Sequence, residues 1–337
     1  MGERVLVTGA AGFIGSLLVE RLLARGDRVV GLDNFDPFYA RWHKERNLET
    51  ARAHPAFRLA EADCADPHAV RRALAGGSFD VLVHLAARAG VRPSLRHPLS
   101  YVTANITGTQ VMLELARELG VGRFVFASSS SVYGNAARVP FSEEDRVDAP
   151  ISPYAATKAA TELLARTAHH LYGVTTVGLR FFTVYGPRQR PDLAIRKFAS
   201  LMRRDEPIPV FGDGGTRRDY TWSDDILRGV VAALDYTRDR PGAFEIVNLG
   251  GSRTTTLARL IELIADALGV RPRIDRRPPQ PGDVERTCAD VGKAKRLLGW
   301  EPTVTPEEGI PRFVAWLRSY QEEPAPALAG TPPGPRH

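Results

Sequence analysis

Short apolar runs alternate with longer stretches of helical periodicity through the first half of the chain. A short apolar run bounded by turn residues is typical of a buried strand, and apolar residues three and four positions apart are typical of a helix. Such alternation predicts an α/β fold with a doubly wound parallel sheet, covered by helices on both faces. The predicted strands lie at residues 4–8, 28–32, 57–60, 79–85, 123–128 and 174–181, with helices at 13–24, 67–74, 98–119 and 153–172 and a loop with some helix at 34–49.

The pattern changes after Gly186, where prolines and glycines become frequent. The predicted elements beyond this point are helices at 193–204, 224–236 and 257–268 and short strands at 208–211 and 244–249. We therefore predict a first lobe over residues 1–186 and a smaller α/β lobe over 187–320, with the chain free to cross between them. Residues 321–337 are rich in proline, alanine and glycine, a composition typical of a flexible tail.

Three glycines, Gly9, Gly12 and Gly15, stand between the first predicted strand and the first predicted helix. Glycine lets the backbone approach a pyrophosphate closely, and a helix N-terminus offers free N–H groups and the positive end of a dipole. The next strand is followed by Asp33, whose carboxylate can accept both ribose hydroxyls of an adenosine and repel a 2′-phosphate. The stretch therefore predicts a Rossmann-type dinucleotide site that prefers NAD to NADP.

Length and composition narrow the class of protein. The chain has 337 residues, enough for a sizeable core, and no apolar run approaches the ~20 residues of a membrane span. There is no room for a signal peptide before the first strand, and the two cysteines, Cys64 and Cys288, show neither a disulfide pattern nor metal-ligand spacing. We therefore expect a cytoplasmic protein without a membrane segment or a bound metal.

The formal charge of +6 favours anionic ligands such as nucleotide sugars. We do not expect a nucleic-acid partner, because the basic residues are scattered along the chain rather than grouped in a stripe.

A second group of residues carries candidate chemistry. Tyr154 and Lys158 are four positions apart on a predicted helix and so share one face of it. A tyrosine near its ordinary pKa of about 10 is a poor base at neutral pH, but a lysine one turn away and the positive nicotinamide of bound NAD favour the phenolate. The tyrosine can then accept a proton from a sugar hydroxyl while hydride leaves the same carbon. Ser129, at the end of a predicted strand, can hydrogen-bond the reacting oxygen.

With these motifs in place, the chain resembles the extended short-chain dehydrogenases/reductases of the nucleotide-sugar epimerase and dehydratase family, from Arg4 to about Tyr320. The matching segments are TGAAGFIG at 8–15, HLAA at 84–87, SSSSVYG at 128–134, YAATK at 154–158 and RRDY at 217–220. The resemblance implies a Rossmann-type sheet with a smaller substrate-binding lobe, an NAD cofactor and a UDP-sugar substrate. It also implies a homodimer formed through the helices at 98–119 and 153–172.

The same resemblance implies roles for individual residues. Asp63 would contact adenine, Asn105 would support the helix of Tyr154, Arg218 would bind the substrate diphosphate and Asp283 would help to hold the nucleotide. The residues implied for the cofactor are Gly9, Gly12, Phe13, Ile14, Gly15, Asp33, Asn34, Asp63, Cys64, His84, Leu85, Ala86, Ala87, Asn105, Tyr154 and Lys158. Those implied for the substrate are Arg92, Ser129, Ser130, Ser131, Tyr154, Thr183, Arg190, Val210, Arg218 and Asp283.

The residues around Tyr154 discriminate among members of the family. Dehydratases and decarboxylases carry an acid where this chain has the neutral Ser130 and Ser131, so both eliminations are disfavoured. The segment RFFTVYGP at 180–187 has Thr183 where many relatives have asparagine, and it resembles that of UDP-glucuronate 4-epimerases. Ser130, Ser131 and Thr183 would offer neutral hydroxyl donors to the sugar carboxylate, with Arg190 and Arg92 as candidate cations.

The sequence therefore predicts NAD-dependent C4 epimerisation, most closely of UDP-glucuronate to UDP-galacturonate. A neutral substrate, UDP-glucose or UDP-N-acetylglucosamine, remains open. So do a net oxidoreductase that would release NADH and a catalytically silent NAD-binding protein, against which the intact group of Ser129, Tyr154 and Lys158 argues.

Overall fold

The structure is a computed structural model, and it describes residues 2–135, 138–278 and 284–320. The strands, in chain order, are Arg4–Thr8 (β1), Arg28–Asp33 (β2), Phe57–Glu61 (β3), Val81–His84 (β4), Arg123–Ser129 (β5), Thr175–Phe181 (β6), Thr183–Tyr185 (β7), Ile208–Phe211 (β8), Arg217–Arg218 (β9), Tyr220–Trp222 (β10), Phe244–Leu249 (β11), Thr255–Thr256 (β12) and Ile274–Arg277 (β13). The predicted tail at 321–337 and the candidate Asp283 lie outside the described residues.

Most of the predicted helices form at or close to their expected positions. The helices are Phe13–Ala24 (α1), Arg41–Asn47 (α2), Glu49–Arg52 (α3), Pro67–Ala73 (α4), Val91–Arg96 (α5), Pro98–Tyr101 (α6), Gly108–Glu118 (α7), Pro153–Tyr172 (α8), Ala194–Arg203 (α9), Ser223–Asp239 (α10), Leu257–Leu268 (α11), Gly292–Leu298 (α12) and Pro306–Ser319 (α13). A π-helical stretch, Val102–Thr107, joins α6 to α7, and a 3₁₀ turn, Ser130–Tyr133, follows β5. None of the helices in the described part of the chain is both long and apolar enough to span a membrane.

The central sheet confirms the predicted doubly wound fold. Within the described residues it has seven strands in the order β11-β6-β5-β4-β1-β2-β3, and each neighbouring pair is parallel. The strand order reverses between β1 and β4, and in such sheets ligands bind beyond the carboxyl ends of the strands at that point. The glycine turn after β1 lies there.

Helices cover both faces of the sheet, which is why its strands are nearly continuous apolar runs. Apolar side chains of α1, α10 and α12 pack on one face. Those of α4, α7 and α8 pack on the other. Val5, Leu6 and Val7 of β1 are completely buried between the two layers. The rigid layers fix the positions of the loops at the carboxyl edge.

The smaller lobe has a core of its own. Apolar side chains of α9, α11 and α13 meet those of β8 and β10 in a separate buried cluster. Pairs of short strands join β10 to β7, β12 to β9 and β13 to β8. Strands of two to four residues are too short to leave a periodic pattern, which is why most of them were not predicted.

Two elements expected in the smaller lobe, β11 and α10, are part of the first lobe. β11 is its edge strand, with Phe244 opposite Thr176 in a parallel register, and α10 packs against β5 and β6. The chain therefore leaves the sheet after β6, builds part of the smaller lobe and returns. Periodicity could not reveal this, since it identifies a strand but not the strand with which it pairs.

Candidate active site

A cavity of about 670 Å³ opens beyond the carboxyl edge of the sheet. Its wall comes from the glycine turn, the end of β2, the loop after β4, the end of β5, the start of α8 and, from the smaller lobe, β8, β9 and α9. Residues that the sequence placed far apart therefore face one space. Polar groups that converge on a largely apolar cavity are typical of a ligand site.

The glycine turn fits a pyrophosphate. Gly9 has φ +69°, a conformation that side chains disfavour. A Cβ on Gly15 would lie 2.0 Å from the Gly9 carbonyl oxygen, so only glycine lets α1 start this close to β1. Gly12 caps α1 without a side-chain hydrogen bond, which leaves the first N–H groups of the helix for an anion. The residues present therefore suit a dinucleotide.

Four residues predicted to contact the cofactor, Asp33, Asn34, Asp63 and Cys64, line the same cavity. Asn34 Nδ2 donates to Asp63 Oδ2 at 2.9 Å, which orients the Asp63 carboxylate. Burial raises the pKa of the Cys64 thiol, so this cysteine stays protonated and unreactive.

Ser129, Tyr154 and Lys158 all line this cavity, and the side chains of Ser129 and Tyr154 are hydrogen-bonded to each other. The Ser152 side chain caps α8 by accepting from Ala155 N at 3.1 Å, so Tyr154 lies in the first turn and Lys158 one turn later. Lys158 Nζ donates to the Ala127 carbonyl at 2.8 Å, which fixes the ammonium beside the end of β5. The three residues that the sequence proposed for acid–base chemistry therefore face one space.

Burial tunes both groups. It raises the pKa of Tyr154, while hydrogen bonding with the Ser129 side chain and the charge of Arg190 act in the opposite direction. Burial lowers the pKa of Lys158 to about 8, against the opposing effect of Glu162. Phenolate formation therefore depends on positive charge close to Tyr154.

The pH dependence of kcat follows from Lys158. The ammonium is present below about pH 8 and is lost as the pH rises, so we expect kcat to fall on the alkaline side near that pH. Arginine keeps its proton at any working pH. Lys158→Arg should therefore move the alkaline fall of kcat to a higher pH, whatever the absolute rate of the variant. An unchanged limb in kcat–pH profiles of the variant would assign the limb to another group.

His84 supports the site from below and does not line the cavity, which corrects the expectation that it faces the cofactor. Thr109 Oγ1 donates to the Asn105 carbonyl at 2.6 Å, so it accepts from His84 Nε2 at 3.1 Å. His84 Nδ1 then accepts from Thr8 Oγ1 at 2.8 Å, and Thr8 Oγ1 accepts from Ala86 N at 3.1 Å. Burial lowers the pKa of His84 to about 3, which keeps the ring neutral in this chain of bonds.

Asn105 ties the loop after β4 to the helix that carries Tyr154. It lies in the π-helical stretch, buried. Its Oδ1 accepts from Arg88 N at 2.8 Å, and its Nδ2 donates to Thr157 Oγ1 at 2.9 Å. The geometry agrees with a supporting role, since Asn105 itself is not among the residues that line the cavity.

The smaller lobe contributes two of the predicted substrate residues, Arg190 and Arg218, to the cavity wall. Arg190 Nη2 donates to the Ala89 carbonyl at 3.2 Å and is paired with Asp192, so the 187–193 loop is held over the cavity. The Arg92 guanidinium lies 4.7 Å from the centre of the Phe211 ring. The predicted substrate residues that line the cavity are Arg92, Ser129, Tyr154, Thr183, Arg190 and Arg218.

Three predicted substrate residues lie elsewhere. Ser129 Oγ accepts from Ser131 N at 3.2 Å and starts the 3₁₀ turn, which takes the Ser130 and Ser131 side chains out of the cavity wall. Val210 is buried in the core of the smaller lobe. Since side chains alternate along a strand, its neighbours Pro209 and Phe211 face the cavity instead. The Val210 side chain therefore does not line the cavity.

Two features of the site have no local signal in the sequence. Lys44 of α2 lines the cavity and lies beside Asp33, but the sequence showed this segment only as a loop with some helix. A buried pair, Arg180 with Glu162, lies behind Ser128, whose hydroxyl donates to Glu162. Both depend on the packing of distant segments.

Comparisons with known proteins decide the family. The model of the family described as GDP-mannose 4,6 dehydratase matches residues 6–313. The chain belongs to this family. Within it, the UDP-glucuronate 4-epimerase of Thermodesulfobacterium geofontis is 43% identical over 314 residues, which span 93% of this chain and 95% of the relative.

Solved structures of similar proteins agree with the fold. The UDP-glucuronic acid 4-epimerase from Bacillus cereus, in complex with UDP-glucuronic acid and NAD, has a TM-score of 0.86 at 35% identity, covering 94% of this chain and 99% of that one. The UDP-glucose 4-epimerase from Thermotoga maritima, with UDP-glucose, has a TM-score of 0.84 at 33% identity, with the same coverage of 94% and 99%.

Proposed function

We propose that the chain catalyses NAD-dependent C4 epimerisation of a UDP-sugar, converting UDP-glucuronate to UDP-galacturonate. The observation that carries the proposal is that Ser129, Tyr154 and Lys158 line the same cavity as the glycine turn, which suits a dinucleotide. Similar proteins named UDP-glucuronate 4-epimerase, one of them in complex with UDP-glucuronic acid and NAD, support the choice of substrate and cofactor.

The residues of the site would share the work as follows. Gly9, Gly12 and Gly15 bind the cofactor, which supplies the oxidising and reducing chemistry at sugar C4 when bound. Tyr154 takes the O4 proton, helped by the Lys158 ammonium, while Ser129 donates a hydrogen bond to the sugar oxygen. The 4-keto sugar then turns about its diphosphate linkage and presents its other face. Tyr154 returns the proton, and the net change is inversion at C4.

The family also contains dehydratases, as the name of the matching model states. Elimination of water needs a further acid beside the sugar, and the chain has Ser130 and Ser131 in that part of the sequence. Asp192, one of the carboxylates that line the cavity, is paired with Arg190 at 2.8 Å. Epimerisation requires only that the proton and the hydride leave and return, so it needs no further acid beside the sugar.

Recognition of a sugar carboxylate would rest on Thr183. Its side chain is exposed in the cavity wall, on a strand pinned in parallel beside Tyr220. A neutral hydroxyl can hold an anion without a full counter-charge, and hydrogen bonds to charged groups contribute ~1.5–3 kcal/mol each. A carboxylate held in a fixed plane is also kept out of alignment for loss of CO₂ from the 4-keto acid.

Thr183→Ala should therefore raise KM for UDP-glucuronate by roughly tenfold or more and increase the release of CO₂ and pentose product. Thr183→Ser keeps the hydroxyl and is the matched control. Anion-exchange chromatography separates the nucleotide-sugar products, and the released CO₂ is trapped and measured. An alanine variant with unchanged KM and unchanged product mixture would exclude this role of Thr183.

The proposed substrate is tested by incubating the purified protein with UDP-glucuronate and, separately, with UDP-glucose, without added NAD. We expect UDP-galacturonate from the first and little UDP-galactose from the second. Turnover of UDP-glucose alone would overturn the assignment in favour of a neutral sugar, the substrate named for the Thermotoga maritima neighbour.

We also propose a cytoplasmic homodimer. Leu99 on α6 and Leu163 and Leu171 on α8 are apolar side chains exposed by 79%, 70% and 59%. Burial of this face against the same face of a second copy would remove it from water. A mass near that of one chain in light scattering would contradict the dimer.

A further inference from the structure

The Asp33 carboxylate has few acceptor positions left for a ligand. Its Oδ2 accepts from Ala11 N at 3.0 Å, and its Oδ1 accepts from Phe35 N at 2.8 Å and from Lys44 Nζ at 3.1 Å. A carboxylate offers about four acceptor positions in all, so about one remains. An adenosine ribose has two hydroxyls. Asp33 can therefore accept from one of them, not from both as the sequence suggested.

Lys44 lies directly beside Asp33 in the cavity wall. Lys44 and Asp33 are both more than nine-tenths buried and both line the cavity. An ammonium has three N–H donors, and its bond to Asp33 uses one. The rings of Tyr39 and Phe35 also pack near Nζ, at 5.5 and 6.0 Å. Because Lys44 lines the cavity, its remaining donors are available to a ligand there.

The backbone around Lys44 holds it in place. His43, the preceding residue, shares a 2.6 Å hydrogen bond between its Nδ1 and the Tyr320 hydroxyl at the end of the smaller lobe. Asn47 Nδ2, near the end of the same helix, donates to the Ala11 carbonyl at 3.1 Å, beside the glycine turn. Anchors on both sides of Lys44 fix the ammonium at the cofactor site, which a lone surface lysine would not achieve.

We propose that Lys44 is a specificity-determining residue of the cofactor site: it donates to the ribose hydroxyl that Asp33 cannot serve, and only the Asp33 carboxylate prevents it from receiving a 2′-phosphate. The pair is neutral as a whole, so it suits the uncharged ribose of NAD. Removal of the carboxylate leaves a buried, unpaired cation, which favours an anionic partner. In this proposal the Asp33 carboxylate is the one residue that makes the site prefer NAD to NADP. This inference rests on the proposed NAD cofactor.

Lys44→Met tests the first half. We expect bound NAD to leave the purified holoenzyme on the order of tenfold faster during dialysis, measured by chromatography of nucleotide released on heating. Lys44→Arg, which keeps donors and charge, should restore part of the retention. The matched control is Lys293→Met, because Lys293 is paired with Glu245 on the opposite edge of the sheet. Release from Lys44→Met at the wild-type rate would overturn the proposal.

Asp33→Ser tests the second half. Each protein is incubated with equal concentrations of NAD and NADP and desalted, and the bound nucleotides are then measured. Asp33→Ser should hold mainly NADP, and the double variant Asp33→Ser, Lys44→Met should lose that preference. The double variant has no unpaired charge, so it stays informative if Lys44→Met alone does not fold. Equal NADP binding by the single and double variants would overturn the role of Lys44.

The result separates this inference from the proposed function. A wild-type protein that binds neither nucleotide would overturn the cofactor, and with it both proposals. A wild-type protein that retains NAD and epimerises UDP-glucuronate, with Lys44 variants indistinguishable from it in retention, would overturn the inference on Lys44 alone.

Discussion

Tyr154→Phe should lower kcat for C4 epimerisation by roughly 10²–10⁴-fold while NAD stays bound, because a positioned acid–base group contributes about that much. The ring keeps its place, packed edge-on against Tyr101 with 6.1 Å between the ring centroids, so only the hydroxyl is lost. The hydroxyl is the group that hydrogen-bonds Ser129 and faces the cavity. Initial rates with UDP-glucuronate and the nucleotide content of the purified variant measure the two parts of the result.

Tyr101→Phe is the matched control. The Tyr101 hydroxyl donates to the Ala89 carbonyl at 3.3 Å, and the residue is not among those that line the cavity. We expect its kcat to stay within a few-fold of the wild type, an order-of-magnitude bound for a lost hydrogen bond outside the reaction. A Tyr154→Phe protein with a rate close to that of Tyr101→Phe would remove Tyr154 from the mechanism.

Arg180→Met should destabilise the protein by about 3–5 kcal/mol, since removal of one member of a buried ion pair leaves the other charge unpaired. Arg180 Nε and Nη2 donate to Glu162 at 2.9 and 2.8 Å, and both side chains are more than nine-tenths buried. Arg180 Nη1 also donates to the Tyr133 hydroxyl at 2.9 Å, and that hydroxyl donates to Asn248 at 2.6 Å. Urea unfolding followed by circular dichroism gives the free energy of unfolding.

Two further variants make this result specific. Adding Glu162→Gln to Arg180→Met removes the unpaired charge and should recover part of the loss. Arg146→Met is the surface control, since its side chain is 87% exposed and its pair with Asp148 should matter little. Equal stability of Arg180→Met and Arg146→Met would show that the buried pair does not support the fold.

The network of Arg180 reaches the catalytic group. Ser128 donates to Glu162 and precedes Ser129, while Glu162 lies one helical turn after Lys158. Glu162 therefore joins the ends of β5 and β6 to the helix of Tyr154. Loss of the pair should therefore disturb the positions of the catalytic residues as well as destabilise the fold.

Much of the fold follows from local patterns in the sequence. The run of Val5, Leu6 and Val7, the glycines after it and the periodicity of α1 each have a local physical cause, and the structure places all of them as predicted. The place of β11 beside β6 does not follow, because pairing between segments more than 60 residues apart depends on how the smaller lobe folds between them. Pro311 is a residue that disfavours a helix, and α13 was not predicted. The helix forms because Thr305 and Glu308 cap its start and its apolar face is buried.

The candidate site divides in the same way. Ser129, Tyr154 and Lys158 belong to short motifs at a strand end and on one helix, so the sequence could predict their grouping. Lys44 could not be predicted, because its approach to Asp33 depends on anchors at Ala11 and Tyr320. The absence of Ser130 and Ser131 from the cavity wall could not be predicted either, because it depends on the 3₁₀ turn that Ser129 caps.

The most direct test of the account follows the hydrogen at C4. The purified protein is given UDP-glucuronate carrying deuterium at C4, without added NAD, and the UDP-galacturonate is analysed by mass spectrometry and NMR. The account predicts that the deuterium is retained at C4 of the inverted product and that no NADH accumulates. Product that has lost the deuterium to solvent, or NADH formed in amounts equal to the product, would contradict an epimerisation in which hydride leaves and returns to the same carbon.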